Sequence, residues 1–313
     1  MKSKPALFAI YMATLSLTAA PIHAQEVLFE DSFESGDMSA TNTEGFSWAQ
    51  PNRTSIVFHD EEDGPVAIYN GTEIYNIHDA IMPDGTVRDW HAFDGNNSLR
   101  FRYPAGENWA EQRFELGTPL RDVWIGFWLR VPTNYKHPIV SKSNNKLFAI
   151  WMDGYSTAGD GPTVVWGPWS DGAEGSTVAG GWSEGGNTVT GSQIPPAPFI
   201  TYPDDQGRWM HLIFHLQAAT NETSNDGVIQ MYRKWDGDSS YSQIHNITNA
   251  NIPSPPGGPN GWASGYILGW ANATYEEDTE WLVDNFVISK TSLIDTPPPM
   301  TIAPNPPNMF SVQ

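Results

Sequence analysis

The chain has 313 residues, with 36 acidic and 16 basic side chains, a formal net charge of -20 and no cysteine. So large a negative excess, recurring along the whole length, argues against nucleic acid and anionic membrane surfaces as partners. Without cysteine there is no disulfide framework, so stability must come from a large core, with bound metal as an auxiliary.

Residues 1–24 carry Lys2 and Lys4, an apolar run from Ala6 to Ala20 and then Pro21-Ile-His-Ala24, the three-part layout of a secretory signal peptide. The run is shorter than the ~20 residues that span a bilayer. Cleavage after Ala24 and a secreted, extracellular or periplasmic location are therefore expected, without membrane insertion. Asp31, Glu34 and Asp37 follow within one short stretch, and His59–Asn97 is acidic, polar and without periodicity. Strand candidates then come at Ser98–Tyr103, Glu111–Leu116, Val123–Val131, Lys146–Met152 and Thr163–Trp166. A glycine-rich stretch, Gly154–Gly207, threads Trp166, Trp169 and Trp182 and reads as a long loop. Beyond it lie Trp209–Gln217, Val228–Trp235, Gly265–Trp270 and Trp281–Ser289, with Trp235-Asp-Gly237 as a hairpin turn. Residues 296–313 read as a stiff proline-rich linker or tail, whose last residues look like the start of a further β domain, as in a truncated fragment. The ~270 residues of 25–295 suit one domain. Many strands without an amphipathic helix imply an all-β, two-sheet antiparallel sandwich or jelly roll.

Alternation sorts each strand into two faces. The core set is Leu99, Phe101 and Tyr103; Phe114 and Leu116; Ile125, Phe127, Leu129 and Val131; Met210, Leu212, Phe214 and Leu216; Ile229 and Met231. The opposite faces carry Arg100 and Arg102, Glu111, Arg113 and Glu115, Trp124, Trp128 and Arg130, His211 and His215, and Gln230, Tyr232 and Lys234.

Three chemistries can be written on those faces. Eliminative cleavage of a uronate polymer needs a group to neutralise the carboxylate, a base for the C5 proton and an acid for the leaving oxygen. Arg113, His211 and Tyr232 supply those types in that order. His211 and His215 are four residues apart, about 13 Å along a strand, so only one can touch a reacting atom. Sugar binding asks only for flat aromatic faces and fixed polar groups, which Trp124, Trp128, Arg130, Trp166, Trp169, Trp182 and His215 offer. Hydrolysis needs two carboxyl groups about 5 to 9.5 Å apart, and the Glu111-x-Arg113-x-Glu115 row reads more simply as a surface ion ladder. Asp31, Glu34 and Asp284 provide oxygen ligands suited to a structural Ca²⁺, and no organic cofactor is expected.

The succession Gly95-Asn-Asn-Ser-Leu-Arg-Phe, Gln112-Arg-Phe-Glu-Leu116, Val123-Trp-Ile-Gly-Phe-Trp-Leu, Gly207-Arg-Trp-Met-His-Leu, Gly227-Val-Ile-Gln-Met-Tyr and Val283-Asp-Asn-Phe-Val-Ile288 resembles the concanavalin A-like lectin/glucanase superfamily. More narrowly it is similar to the laminin-G-like and polysaccharide-lyase-like jelly rolls of secreted bacterial proteins, from about Glu26 to Leu293. That superfamily hosts lyases, hydrolases and binding modules alike. In the alginate-lyase type, three strands carry Arg-x-Glu, Gln-x-His and Tyr-Phe-Lys-Ala-Gly-x-Tyr. Arg113-Phe-Glu115 resembles the first; for the second, Lys146-Leu-Phe148 or His211 stand as positional counterparts; Tyr266-Ile-Leu-Gly-Trp270 stands where the third would, with Leu268 in place of the lysine. The resemblance implies a protein engaging an extracellular acidic polysaccharide as a lyase, or as a non-catalytic binding or adhesion module; a monomer is expected. The basic side chains available to such a polymer are Arg100, Arg102, Arg113, Arg130, Lys142 and Lys146.

Overall fold

The computed structural model describes residues 26–60, 64–69, 72–75, 85, 87–140, 144–155, 161–183, 192–253 and 261–294. The leader read over 1–24, Lys142 and the proline-rich tail lie outside them. The described residues form seventeen strands, numbered in chain order, and no helix. One sheet runs β15 (Ser242–Ala250), β14 (Gly227–Trp235), β13 (Trp209–Gln217), β8 (Asp122–Arg130), β17 (Thr279–Ser289), β6 (Asn97–Tyr103), β3 (Thr54–Asp60), β4 (Gly64–Tyr69) and β5 (Thr72–Tyr75), and β1 (Val27–Asp31) also pairs with β17. The other runs β12 (Ser192–Ile200), β11 (Ser176–Ser183), β10 (Thr163–Ser170), β9 (Phe148–Trp151), β16 (Trp262–Trp270), β7 (Trp109–Leu120) and β2 (Ser47–Asn52). The architecture is an all-β, two-sheet antiparallel sandwich of the jelly-roll kind.

Strand periodicity explains the core. Every residue assigned inward by alternation, from Leu99 on β6 to Met231 on β14, is buried. Aromatic rings from both sheets meet there. Phe148 of β9 stacks on Phe214 of β13 with centroids 4.2 Å apart, and Phe127 of β8 lies 5.9 Å from Phe214. Burying such rings dominates the energetics of a core of this type.

The expected long loop is a different matter. Within Gly154–Gly207 the chain builds β10, β11 and β12, which extend the seven-stranded sheet. The Thr163–Trp166 candidate is the first half of β10; glycine disguised the rest. A Cβ on Gly167 would collide with the Asn145 carbonyl oxygen, and one on Gly180 with that of Val165. Close backbone approach thus requires residues that erase the period-two signal. The acidic stretch His59–Asn97 likewise contributes β4 and β5 at one edge of the ten-stranded sheet.

The outward face of the ten-stranded sheet is partly roofed by the strap 87–97. Trp90 is buried against Val57, Ala67 and Leu282, and Phe93 stacks on Trp128 at 3.6 Å. Glu280 of β17 holds the strap down. It accepts from Arg88 Nη1 at 2.6 Å and from the Trp90 indole at 2.7 Å, and it lies 3.4 Å from Arg100 Nη1. Arg102 reaches Asp278 at 2.7 Å, and Arg130 reaches Asp89 at 2.6 Å. These arginines are therefore structural ties. Glu280→Ala removes the carboxylate shared by Arg88 and Arg100, leaving Arg88 only the longer approach to Asp278 at 3.7 Å, and is expected to cost about 3 kcal/mol, read as a lower urea midpoint at unchanged slope.

Candidate functional site

The two sheets have separate outward faces, and the expected catalytic trio is divided between them. Arg113 lies on β7 of the seven-stranded sheet, whereas His211 on β13 and Tyr232 on β14 lie on the ten-stranded one. Outward faces of two stacked sheets are separated by the whole sandwich, whose sheets alone sit about 10 Å apart. Arg113 thus cannot share a substrate atom with His211 or Tyr232. Alternation predicts which side of a strand is outward, but not which sheet the strand joins.

On the ten-stranded sheet the expected binding residues make a packed ladder. Trp124 stacks on His215 at 3.9 Å with an interplanar angle of 9°. His215 Nε2 meets Asp122 at 2.9 Å, and its Nδ1 meets Gln230 at 2.8 Å. Trp128 is buried between Phe93 and His211. His211 Nδ1 sits 2.5 Å from the Tyr241 hydroxyl, and Lys234 Nζ lies over the Tyr241 ring at 5.0 Å. Tyr232 donates to Gln230 and accepts from Gln243. The faces of these rings are largely spent on one another.

The three tryptophans of the glycine-rich segment diverge. Trp166 is fully buried between the sheets, its indole 3.3 Å from His245 Nδ1. Trp182 is also buried, and Trp169 is exposed. Only Trp169 presents a ring to solvent.

The outward face of the seven-stranded sheet gathers a different group. By alternation β7 turns Trp109, Glu111, Arg113 and Glu115 outward, and β16 sets Tyr266 opposite Arg113 in register. From β9 comes Trp151, and the turn after it brings Tyr155. Arg113 Nε donates to Glu111 Oε1 at 2.7 Å. Its guanidinium lies 5.8 Å from the Trp151 ring and 5.7 Å from that of Tyr155. The hydroxyls of Tyr155 and Tyr266 are 3.1 Å apart. Burial pushes both phenols above their ordinary range, so at neutral pH both carry protons, one donating to the other. Glu115 accepts from Ser264. Glu111 and Glu115 are four residues apart on one strand, about 13 Å, too far for the carboxyl pair of a hydrolase.

Backbone strain sits in the middle of this face. Leu268 has φ +52°, a conformation costly for a branched side chain. Alternation would turn it outward beside Tyr266, yet it belongs to the central core. Glu111 and Lys146 crowd the adjacent Gly269: a Cβ there would sit 3.0 Å from Glu111 Oε2 and 3.1 Å from Lys146 Cβ. Burial pulls the Lys146 ammonium below its ordinary range. Sequence reasoning missed Tyr155 and Trp151. It missed Trp109 too, because the strand candidate began at Glu111, although Trp109 is in phase with Glu111, Arg113 and Glu115.

The expected calcium ligands also separate. The first and last strands do pair, with Asp31 opposite Phe286, but Asp31 accepts from the Trp48 indole at 2.7 Å and from Phe33 N at 2.8 Å. Glu34 and Asp284 instead bracket one turn. Glu34 Oε1 accepts from Asn96 and Asn97 N, while Asp284 Oδ2 accepts from Phe93 and Asp94 N. Burial, with the Glu34 charge adding, lifts Asp284 to about 8 despite those donors. Hard oxygens of this kind are suited to Ca²⁺, but all three carboxylates already accept N–H groups, Asp284 Oδ1 from Asn285 N at 2.7 Å as well.

No family model matches the chain, and no curated protein matches it. Among solved structures it is similar to an alginate lyase Aly36B variant in complex with alginate trisaccharide, at 12% identity over 62% of this chain and 82% of that one, with a TM-score of 0.44. A PL-14 alginate lyase from Aplysia kurodai gives 12%, 63%, 84% and 0.45. Peanut lectin gives 11%, 85%, 97% and 0.40. Likenesses this distant assign no activity or residue role.

Burial, together with the charge of Lys234, pushes the His211 imidazole down to about 3. The unfolded chain takes up that proton below about pH 6.5, whereas the folded chain stays neutral. The stability that depends on neutral His211 is therefore lost as pH falls from about 6.5 toward 3. His211→Gln is expected to flatten the acid-side decline of Tm across that window, read by thermal melts in a pH series.

Proposed function

We propose that this is a secreted polysaccharide-active protein that works on the outward face of the seven-stranded sheet, by eliminative cleavage of an acidic glycan. The observation that carries the reading is the setting of Arg113: a guanidinium beside the contacting rings of Trp151 and Tyr155, with the Tyr155–Tyr266 hydroxyl pair next to it. A partly desolvated guanidinium suits a uronate carboxylate, which it binds through paired N–H groups. Neutralising that carboxylate acidifies the C5 proton. Lys146, which with Glu111 crowds Gly269 on this face, is the base assigned to take it. As the C4–O bond breaks and the C4–C5 double bond forms, Tyr155 returns a proton to the leaving oxygen, with Tyr266 fixing its hydroxyl. His211 and Tyr232, on the other sheet, have no part in this scheme.

The test is ultraviolet absorbance of the unsaturated uronate product with alginate, ulvan, glucuronan, heparin and pectin. Wild type is expected to give a rising signal on at least one polymer. Arg113→Ala is expected to lower turnover about 10²–10³-fold, and Tyr155→Phe about 10²–10⁴-fold, both with Tm preserved. Flat traces with retained polymer binding would establish the second reading, a binding module using the same aromatic face.

Calcium belongs to the same proposal, as a structural ion held by Glu34 and Asp284 near the 93–97 turn. EDTA is expected to lower Tm by several degrees, reversibly on adding Ca²⁺; an unchanged Tm would remove the ion from the account.

A further inference from the structure

Nine large hydrophobic side chains are exposed among the described residues, and three of them are tryptophans: Trp109 at 38%, Trp169 at 36% and Trp270 at 48%. All three lie at one end of the seven-stranded sheet. Trp270 of β16 and Trp109 of β7 are direct cross-strand partners. Trp169 of β10 bridges to Asn144, whose neighbour Asn145 bridges to Ala271, next to Trp270. The row is stitched by backbone bonds, Asn272 N to Asn144 O at 2.8 Å and Lys146 N to Trp270 O at 3.0 Å. Alternation turns Trp109 to the same side as Glu111 and Arg113, and Trp169 to the same side as Val165, which packs with Trp151 and Tyr266. The rings are thus continuous with the Arg113 face.

We propose that Trp169, Trp270 and Trp109 form a rim of sugar-stacking subsites that carries a polysaccharide chain across the strands of this sheet, beyond the Arg113 centre. The inference rests on the reading of that face given above. From β10 to β7 the row crosses three strand spacings, about 14–15 Å, a length for an oligosaccharide rather than a single ring. Exposed indole faces match the apolar C–H face of a pyranose. Polar residues stand beside the rings for its hydroxyls: Lys146, whose N bonds Trp270 O, and the exposed Asn272. No buried side chain depends on these three rings, so truncating them should leave the fold intact.

The experiment is affinity electrophoresis of Trp109→Ala, Trp169→Ala and Trp270→Ala in gels containing whichever of alginate, ulvan, glucuronan, heparin or pectin retards the wild type. Each variant is expected to bind about three- to tenfold more weakly, the triple variant about 100-fold, and Trp→Tyr at the same positions should restore most of the loss. Unchanged retardation in all three variants would overturn the rim while leaving the Arg113 reading standing. Variants that shift a sedimenting dimer to monomer, or that lose binding to phosphatidylcholine vesicles, would overturn it in favour of a second copy or a lipid surface. Wild type retarded by none of the polymers would overturn the reading of the face itself, and the rim with it.

Discussion

The thickness of the sandwich is the constraint on which everything else depends. Two sheets can bury their apolar sides only against each other, so every side chain with chemistry to offer is sent to one of two outward faces. Residues on different sheets then face away from one another. That rule separates Arg113 from His211 and gives the molecule two surfaces of distinct character. One is tied down by the Glu280 cluster and a ladder of stacked rings. The other combines a guanidinium, one buried and one partly buried phenol and exposed indoles.

Much of the architecture was legible in the chain. Where Leu, Phe, Ile and Met alternate with polar side chains, as in β8 and β13, the period-two pattern announces both the strand and its inward face. It fails where physical needs other than burial choose the residue. β10 and β11 pass so close to neighbouring backbone that Gly167 and Gly180 are required, and glycine carries no face. Leu268 breaks the pattern in the opposite way, since its φ of +52° turns an outward position into a core one.

The candidate site was less legible, because it is assembled by strand order. Arg113 was found from the spacing of its own strand. Tyr155 lies in a turn after β9, and Trp151 ends that strand, so their convergence on Arg113 depends on β9, β16 and β7 being neighbours. The assignment of charge was equally hidden. Arg100, Arg102 and Arg130 alternate like a basic binding strip, yet Glu280, Asp278 and Asp89 engage them. Charges that look available in a sequence are commonly those that hold a covering segment in place.

The position of β17 has a consequence for how the chain reaches this state. The last of the described strands is the centre of the larger sheet, inserted between β8 and β6 and also paired with β1. During synthesis the two halves of that sheet have no common seam until residues near Ile288 leave the ribosome. The hydrophobic faces of β6 and β8 must wait, uncovered at one edge, for a partner more than 150 residues downstream of β8 to arrive. Such long-range closure makes for slow folding and exposes strand edges meanwhile, which favours a cell that keeps the nascent chain unfolded until it is complete.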